Sequence, residues 1–307
     1  ISIYNSNSQS CIPIELNLTT QKQIDDFPKN YPGCTMIEGD LFIYEDASHS
    51  ITNLDSLQQL TSVGGFFLLR GLEKLYDTEG IHNIEEVGEL SLRDNDNLSN
   101  FSGLRKLKRI KGDCFIDLHE KLQSLQGLNN LDSIGGSLTI RSNTSLQDLS
   151  ALDSLQYISE YFVVSNLEAL ISISGFDNLE IIGNYLAIQN MENLEEIRGF
   201  NNLKSIVNFY VIQDNPKLVE ISGFNNLMSI DNFFAIQRNP ILVDISGFNS
   251  LHSAGNSILF RNNIMLESIE GFNGIDTIET FLAFDGNIAL KNIIGFSKLK
   301  HINGNLN

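Results

Sequence analysis

The sequence predicts an all-β solenoid, and three observations carry that reading. Nine corner positions follow one another at intervals of 24 residues: Gly103, Gly127, Ala151, Gly175, Gly199, Gly223, Gly247, Gly271 and Gly295. A fixed period of this size marks an architecture in which each repeat is one coil. Apolar residues recur at fixed places in every coil, and no segment inside the repeats offers the periodicity of a long amphipathic helix.

The coil that begins at Gly199 shows each part. Leu203 has counterparts at Leu107, Leu131, Leu155, Leu179, Leu227, Leu251 and Leu299. The place of Leu218 is Leu in each coil from Leu122 to Leu290. These columns stack on themselves and fill the tube. Phe209–Gln213 is the clearest strand, being β-branched, aromatic and bounded by Asn and Pro. Side chains alternate along a strand, so Tyr210 and Ile212 are expected to point inward and Phe209, Val211 and Gln213 outward. Just after the strand, Asn143, Asn215, Asn239, Asn263 and Asn287 share one position. Asn tolerates left-handed turns and bonds to nearby backbone, so these residues predict an asparagine ladder.

Earlier coils follow with small slips. Ser56 and Gly80 act as corners, Gly80 to Gly103 is one residue short, and Leu41 and Ile43 supply the inward places of a first coil. The whole makes roughly 11 coils. Residues 1–35 read as an N-terminal cap and residues 36–307 as one continuous domain. Within the cap, Leu18 to Asn30 reads as a short helix with Thr19 or Thr20 as its cap. A Cys11–Cys34 disulfide would pin it, contributing roughly 3 kcal/mol. Two such cysteines favour an oxidising compartment. Cys114 falls in an inward column as a buried free thiol.

The 307 residues carry 42% hydrophobic side chains and a net charge of −18, enough for a core and opposed to nucleic acid or anionic membrane partners. No stretch is long and apolar enough for direct membrane insertion. The opening residues are polar without a signal peptide, which reads as a trimmed form, and Leu306 in an inward place without a cap reads as a longer native chain.

The run Cys34-Thr35-Met36-Ile37-Glu38-Gly39-Asp40-Leu41-Phe42-Ile43 resembles the opening of receptor L domains, the ligand-binding β-helical modules of insulin-receptor and epidermal-growth-factor-receptor proteins. The later Gly-Phe-Asn-Asn-Leu-x-x-Ile and Leu-x-Ile-x-x-Asn-x-x-Leu elements extend the resemblance over nearly the whole chain after Cys11. It implies a right-handed parallel β-helix with leucine-rich-like repeats, an extracellular or cell-surface setting and a binding role. The number of coils and the lack of a cysteine-rich segment fit a microbial or protist surface protein.

The candidate site lies on the outward columns. One reads Tyr161, Tyr185, Phe209, Phe233, Ser257, Phe281, its neighbour Val163, Ala187, Val211, Ala235, Leu259, Ala283, and a third Arg141, Ser165, Gln189, Gln213, Gln237, Arg261, Asp285. Together they predict an aromatic strip edged by amides, suited to a protein or glycan ligand or to self-association. The other reading is a stacking ladder without a ligand. In the N-terminal half the same face reads as more polar, with Glu89, Ser91, Asp113, Ser137 and Thr139.

A carboxylate column, Asp148, Glu196, Glu220 and Asp244 with Ser172 among them, reads as a solvated face, with Ca²⁺ as the minor alternative. No metal or other cofactor is expected. The five histidines, His49, His82, His119, His252 and His301, share no column, no nucleophile or phosphate motif is present, and Asp117 with Arg141 and Arg261 with Asp285 read as cross-coil ion pairs, so no catalytic residues are expected. Sequons occur at Asn17, Asn97, Asn100 and Asn143. The expected function is an extracellular recognition or adhesion module, with a passive stalk or scaffold as the alternative and a carbohydrate-active β-helix enzyme as the least favoured.

Overall fold

The computed structural model describes residues 10–12, 14–45 and 50–307. His49 lies outside the described residues. The chain winds into a parallel β-solenoid of about 12 turns with 24-residue spacing. Its five-residue strands stack in unbroken register, Tyr161 on Tyr185, Phe209, Phe233 and Ser257 in turn. A second side carries a six-stranded sheet from Ser172–Ile173 to Asn292–Ile293.

The coils begin one layer earlier than the sequence suggests. Glu15–Leu18 pairs in parallel with Asp40–Tyr44, so the first strand precedes the helical segment. That segment forms two short helices, α1 (Gln21–Asp25) and α2 (Phe27–Asn30). Thr20 caps α1 in a reciprocal box with Gln23, and Pro28 opens α2. Ile24 and Phe27 seat the pair in the core. Cys11 and Cys34 form the disulfide, with Cα atoms 5.5 Å apart. Cys114 is a buried free thiol, pushed up in pKa by burial. The one-residue slip after Gly80 is absorbed at a bulge, where Gly64-Gly65 on one strand faces Gly88 on the next.

The inward and outward assignment holds. Tyr210, Ile212, Leu203 and Leu218 are fully buried. A column the sequence reading did not single out is the core's largest: Phe176, Phe200, Phe224, Phe248, Phe272 and Phe296, stacked at 5.0–5.4 Å with nearly parallel rings. Tyr210 stacks on Phe234 at 4.7 Å, but its buried hydroxyl has no partner among the described residues. Tyr210→Phe is therefore expected to raise stability by about 1–2 kcal/mol, because an unpaired buried hydroxyl is removed at constant ring packing. Urea denaturation checks this, and a loss of stability would mean that the hydroxyl has a partner.

The asparagine ladder is present and buried, in two runs. Asn215, Asn239, Asn263 and Asn287 form one. Asn95, His119 and Asn143 form the other, and Leu167 and Met191 separate them in the same column. His119 takes an asparagine's place. The Asn95 N–H donates to its Nδ1, and its Nε2 reaches the Leu92 carbonyl at 3.1 Å, as the Asn143 amide reaches Ile116. The neutral ring satisfies both contacts, accepting at Nδ1 and donating from Nε2, and its Nδ1 also lies 3.3 Å from the Asn95 carbonyl. Burial holds the His119 pKa below the ordinary histidine value. The charged form is disfavoured in the fold, so its contribution is intact above about pH 6.5 and is lost as pH falls below that. His119→Asn is expected to flatten this acid-side loss while preserving stability at neutral pH. Unfolding curves on either side of that pH test it, and an unchanged pH dependence would remove His119 as its source.

Candidate functional site

The outward columns come together as expected. Val211, Ala235, Leu259 and Ala283 make a small apolar cluster outside the tube, with Tyr185, Phe209, Phe233 and Phe281 packed against it. Each ring meets the next edge to face at 6.2–6.4 Å, from Tyr161 through Tyr185 and Phe209 to Phe233. Phe233 and Phe281 lean together over Ser257, with centroids 6.3 Å apart, which is why that serine is buried. Tyr161, at the strip's N-terminal end, is 45% exposed, and the other rings are half-buried. The strip is thus both a ladder and a surface: edge-to-face contacts hold the rings upright and leave their rims to solvent.

Amide ladders flank it on both sides. Gln213 donates to Gln189, and Gln237 to Gln213, each at 2.7 Å. On the other side Asn208, Asn232 and Asn256 each donate to the asparagine one coil back, beginning at Asn184. The signal for this second ladder, not drawn on above, is an Asn directly before each of Tyr185, Phe209, Phe233 and Ser257.

The N-terminal half of this face is less uniformly polar than the sequence reading has it. Register places Phe66 in the column of Glu89, and Phe42, Leu68 and Phe115 in the column of Ser91 and Thr139. Phe42 and Phe66 stand 5.8 Å apart beside an open hollow of about 580 Å³ floored by Gly64, Gly65, Gly88 and Gly112. The third column carries Arg70 and Arg93 ahead of Asp117 and Arg141. Asp117 is fully buried between Arg93 and Arg141, at 3.4 and 3.2 Å. Arg261 and Asp285 also pair, at 3.2 Å.

Glu196, Glu220 and Asp244 do stack in register on the second sheet. Arg198 pairs with the two glutamates, 2.5 Å from Glu196 and 3.5 Å from Glu220. Among the described residues no group of three or more His, Cys, Asp or Glu side chains is arranged to hold a metal ion. Of the sequons, Asn143 is buried with its amide bonded to the Ile116 carbonyl, whereas Asn17 is exposed. Among the described residues no helix is long and apolar enough to cross a membrane.

The Receptor L domain model matches residues 132–222, and the BspA type leucine rich repeat region model matches residues 33–142 in six copies. The chain is a leucine-rich, receptor-L-domain-like β-solenoid. No curated protein matches it. Among solved structures, it is similar to a leucine rich cell surface protein from Faecalibacterium prausnitzii A2-165, at 14% identity and a TM-score of 0.21, over 91% of this chain and 82% of that one.

Proposed function

We propose that the chain is an extracellular recognition or adhesion module that binds a protein or glycan partner on the outward face of its main sheet. The observation that carries this is the strip Tyr161, Tyr185, Phe209, Phe233 and Phe281. These rings lie outside a tube whose core is already complete, and they keep register with Gln189, Gln213 and Gln237 along one edge. Aromatic side chains at such a surface contribute most when a partner removes them from water. The matched models are of a receptor module and a repeat region, which supports binding over catalysis. The Cys11–Cys34 bridge favours an extracellular or cell-surface setting. A net charge of −18 opposes nucleic acid as the partner. The division into an N-terminal cap and one continuous solenoid belongs to the same proposal, with the boundary moved from residue 36 to before Ser10–Ile12 and Glu15–Leu18, which already pair into the main sheet, and the cap reduced to the helices inserted after them.

Replacing Phe209 and Phe233 together with serine is expected to abolish binding on a protein and glycan array, or self-association, while the circular dichroism spectrum stays intact. A double variant that binds an identified ligand with unchanged affinity moves the functional face elsewhere. An array with no ligand at all, and no association, favours the scaffold reading.

A further inference from the structure

We infer that the partner of this face is a second copy of the chain, laid face to face with its solenoid axis parallel and in the same direction. The inference rests on the reading of that face as a contact surface and names its occupant.

The argument starts from charge. In the N-terminal half the face has three lanes. The first holds Glu15, Asp40, Glu89 and Asp113, joined only by Phe66. The middle lane is largely apolar. The third holds Arg70, Arg93 and Arg141, with Asp117 buried between the last two. One edge is therefore acidic and the other basic. Within the chain this is unfavourable, because register sets Glu15 beside Asp40 and Arg70 beside Arg93, and like charges directly opposite each other destabilise a sheet. Glu89 is exposed, and no hydrogen bond or ion pair engages it among the described residues.

A two-fold axis parallel to the solenoid axis, running in the interface, exchanges the two edges. The acidic lane then faces the partner's basic lane, with Glu89 opposite the partner's Arg93 and Asp113 opposite the partner's Asp117, which Arg93 and Arg141 flank. The same operation sets the aromatic lane of the C-terminal half over the partner's amide lane of Gln189, Gln213 and Gln237, and the lower lane of Ala187, Val211 and Ala235 meets its own copy at the axis. A two-fold axis perpendicular to the solenoid axis does the reverse. It lays the carboxylate lane of one copy on the uncharged aromatic lane of the other and buries the carboxylates without counter-charges, which is costly. Isologous contact needs a self-complementary patch, and only the first arrangement makes this one so.

The area is sufficient. About 12 turns spaced about 4.8 Å, and strands five residues wide, give a face of about 900 Å² per copy. The pair would bury about 1,800 Å², within the range of specific interfaces. Because the two axes point the same way, the C-terminal coils of the two copies lie at the same end of the pair.

Sedimentation equilibrium of the whole chain is expected to show a monomer–dimer equilibrium that weakens with added salt, since its charged half is screened. Glu89→Lys should weaken it at least about tenfold by setting lysine against arginine. Fluorophores attached at the C-termini should show energy transfer in the dimer. A chain that stays monomeric at every concentration and salt, a Glu89→Lys variant that dimerises unchanged, or C-termini far apart in the dimer overturns the inference. If the chain is monomeric but Phe209→Ser with Phe233→Ser still removes binding to an arrayed protein or glycan, the recognition reading stands and the self-pairing alone fails.

Discussion

Asn239→Ala is expected to cost about 3–5 kcal/mol, far more than a typical polar-to-alanine change. Asn239 is fully buried and has four bonds to lose. Its amide donates to the Ile212 carbonyl at 3.2 Å and to Asn263 Oδ1 at 3.3 Å. Its Oδ1 accepts from the Asn215 backbone N–H and from the Asn215 amide, both at 3.1 Å. Alanine leaves that N–H in an apolar interior with nothing to accept from it, and the full desolvation penalty of the orphaned group then counts. The control is an asparagine of the same spacing on the surface. Asn225 is exposed and bonds only to Asn201, so Asn225→Ala should stay within about 0.5 kcal/mol. Urea denaturation of both variants compares them. Equal losses would mean that the buried ladder contributes no more than the exposed one.

The sequence makes this ladder legible because one period holds from Gly103 to Gly295 and aligns like with like. Where the period changes, legibility ends. Leu16 pairs with Leu41 and Leu41 with Phe67, spacings of 25 and 26 residues, so the first coil and the lane of Phe42 and Leu68 fall out of alignment with the rest. The disulfide and the Thr20 cap remain readable there because both are local signals. The phenylalanine column hides for another reason. Phe176, Phe200, Phe224, Phe272 and Phe296 have positive φ, a conformation bulky residues rarely adopt, so the Gly-Phe pair reads as a turn rather than as core. Stacking of each ring on the ring one coil away offsets that strain. His119 hides because its role belongs to the position: it makes an asparagine's bonds with a ring. On the candidate face the aromatic and glutamine columns were legible from strand alternation, whereas the charge lanes required the register of the irregular early coils.

Gly247→Ala is expected to destabilise the solenoid by about 3–6 kcal/mol, or to prevent soluble folding. Two penalties add at this residue. Its φ of 99° lies where only glycine is comfortable. A Cβ there would stand 1.8 Å from the Gly223 carbonyl oxygen, which is backbone and cannot swing aside. The same contact recurs down the column, since Gly199, Gly223 and Gly295 each sit on the carbonyl of the glycine one coil before. Relief at one corner would require spreading the coils at their stacking distance. The natural exception shows what decides the residue. Ala151 occupies a 3-10 corner, Ser150–Leu152, without positive φ, whereas the 3-10 corner Ser102–Leu104 keeps Gly103 because a Cβ there would meet the Thr78 carbonyl, so close approach rather than turn type selects glycine. Ala151→Gly should therefore lose only about 0.5–1 kcal/mol, the entropic cost of glycine. Thermal and urea unfolding of the two variants gives the comparison. A Gly247→Ala protein within about 1 kcal/mol of the parent would mean that the corners yield more readily than stacked backbone allows, and that the 24-residue glycine period has some cause other than close approach.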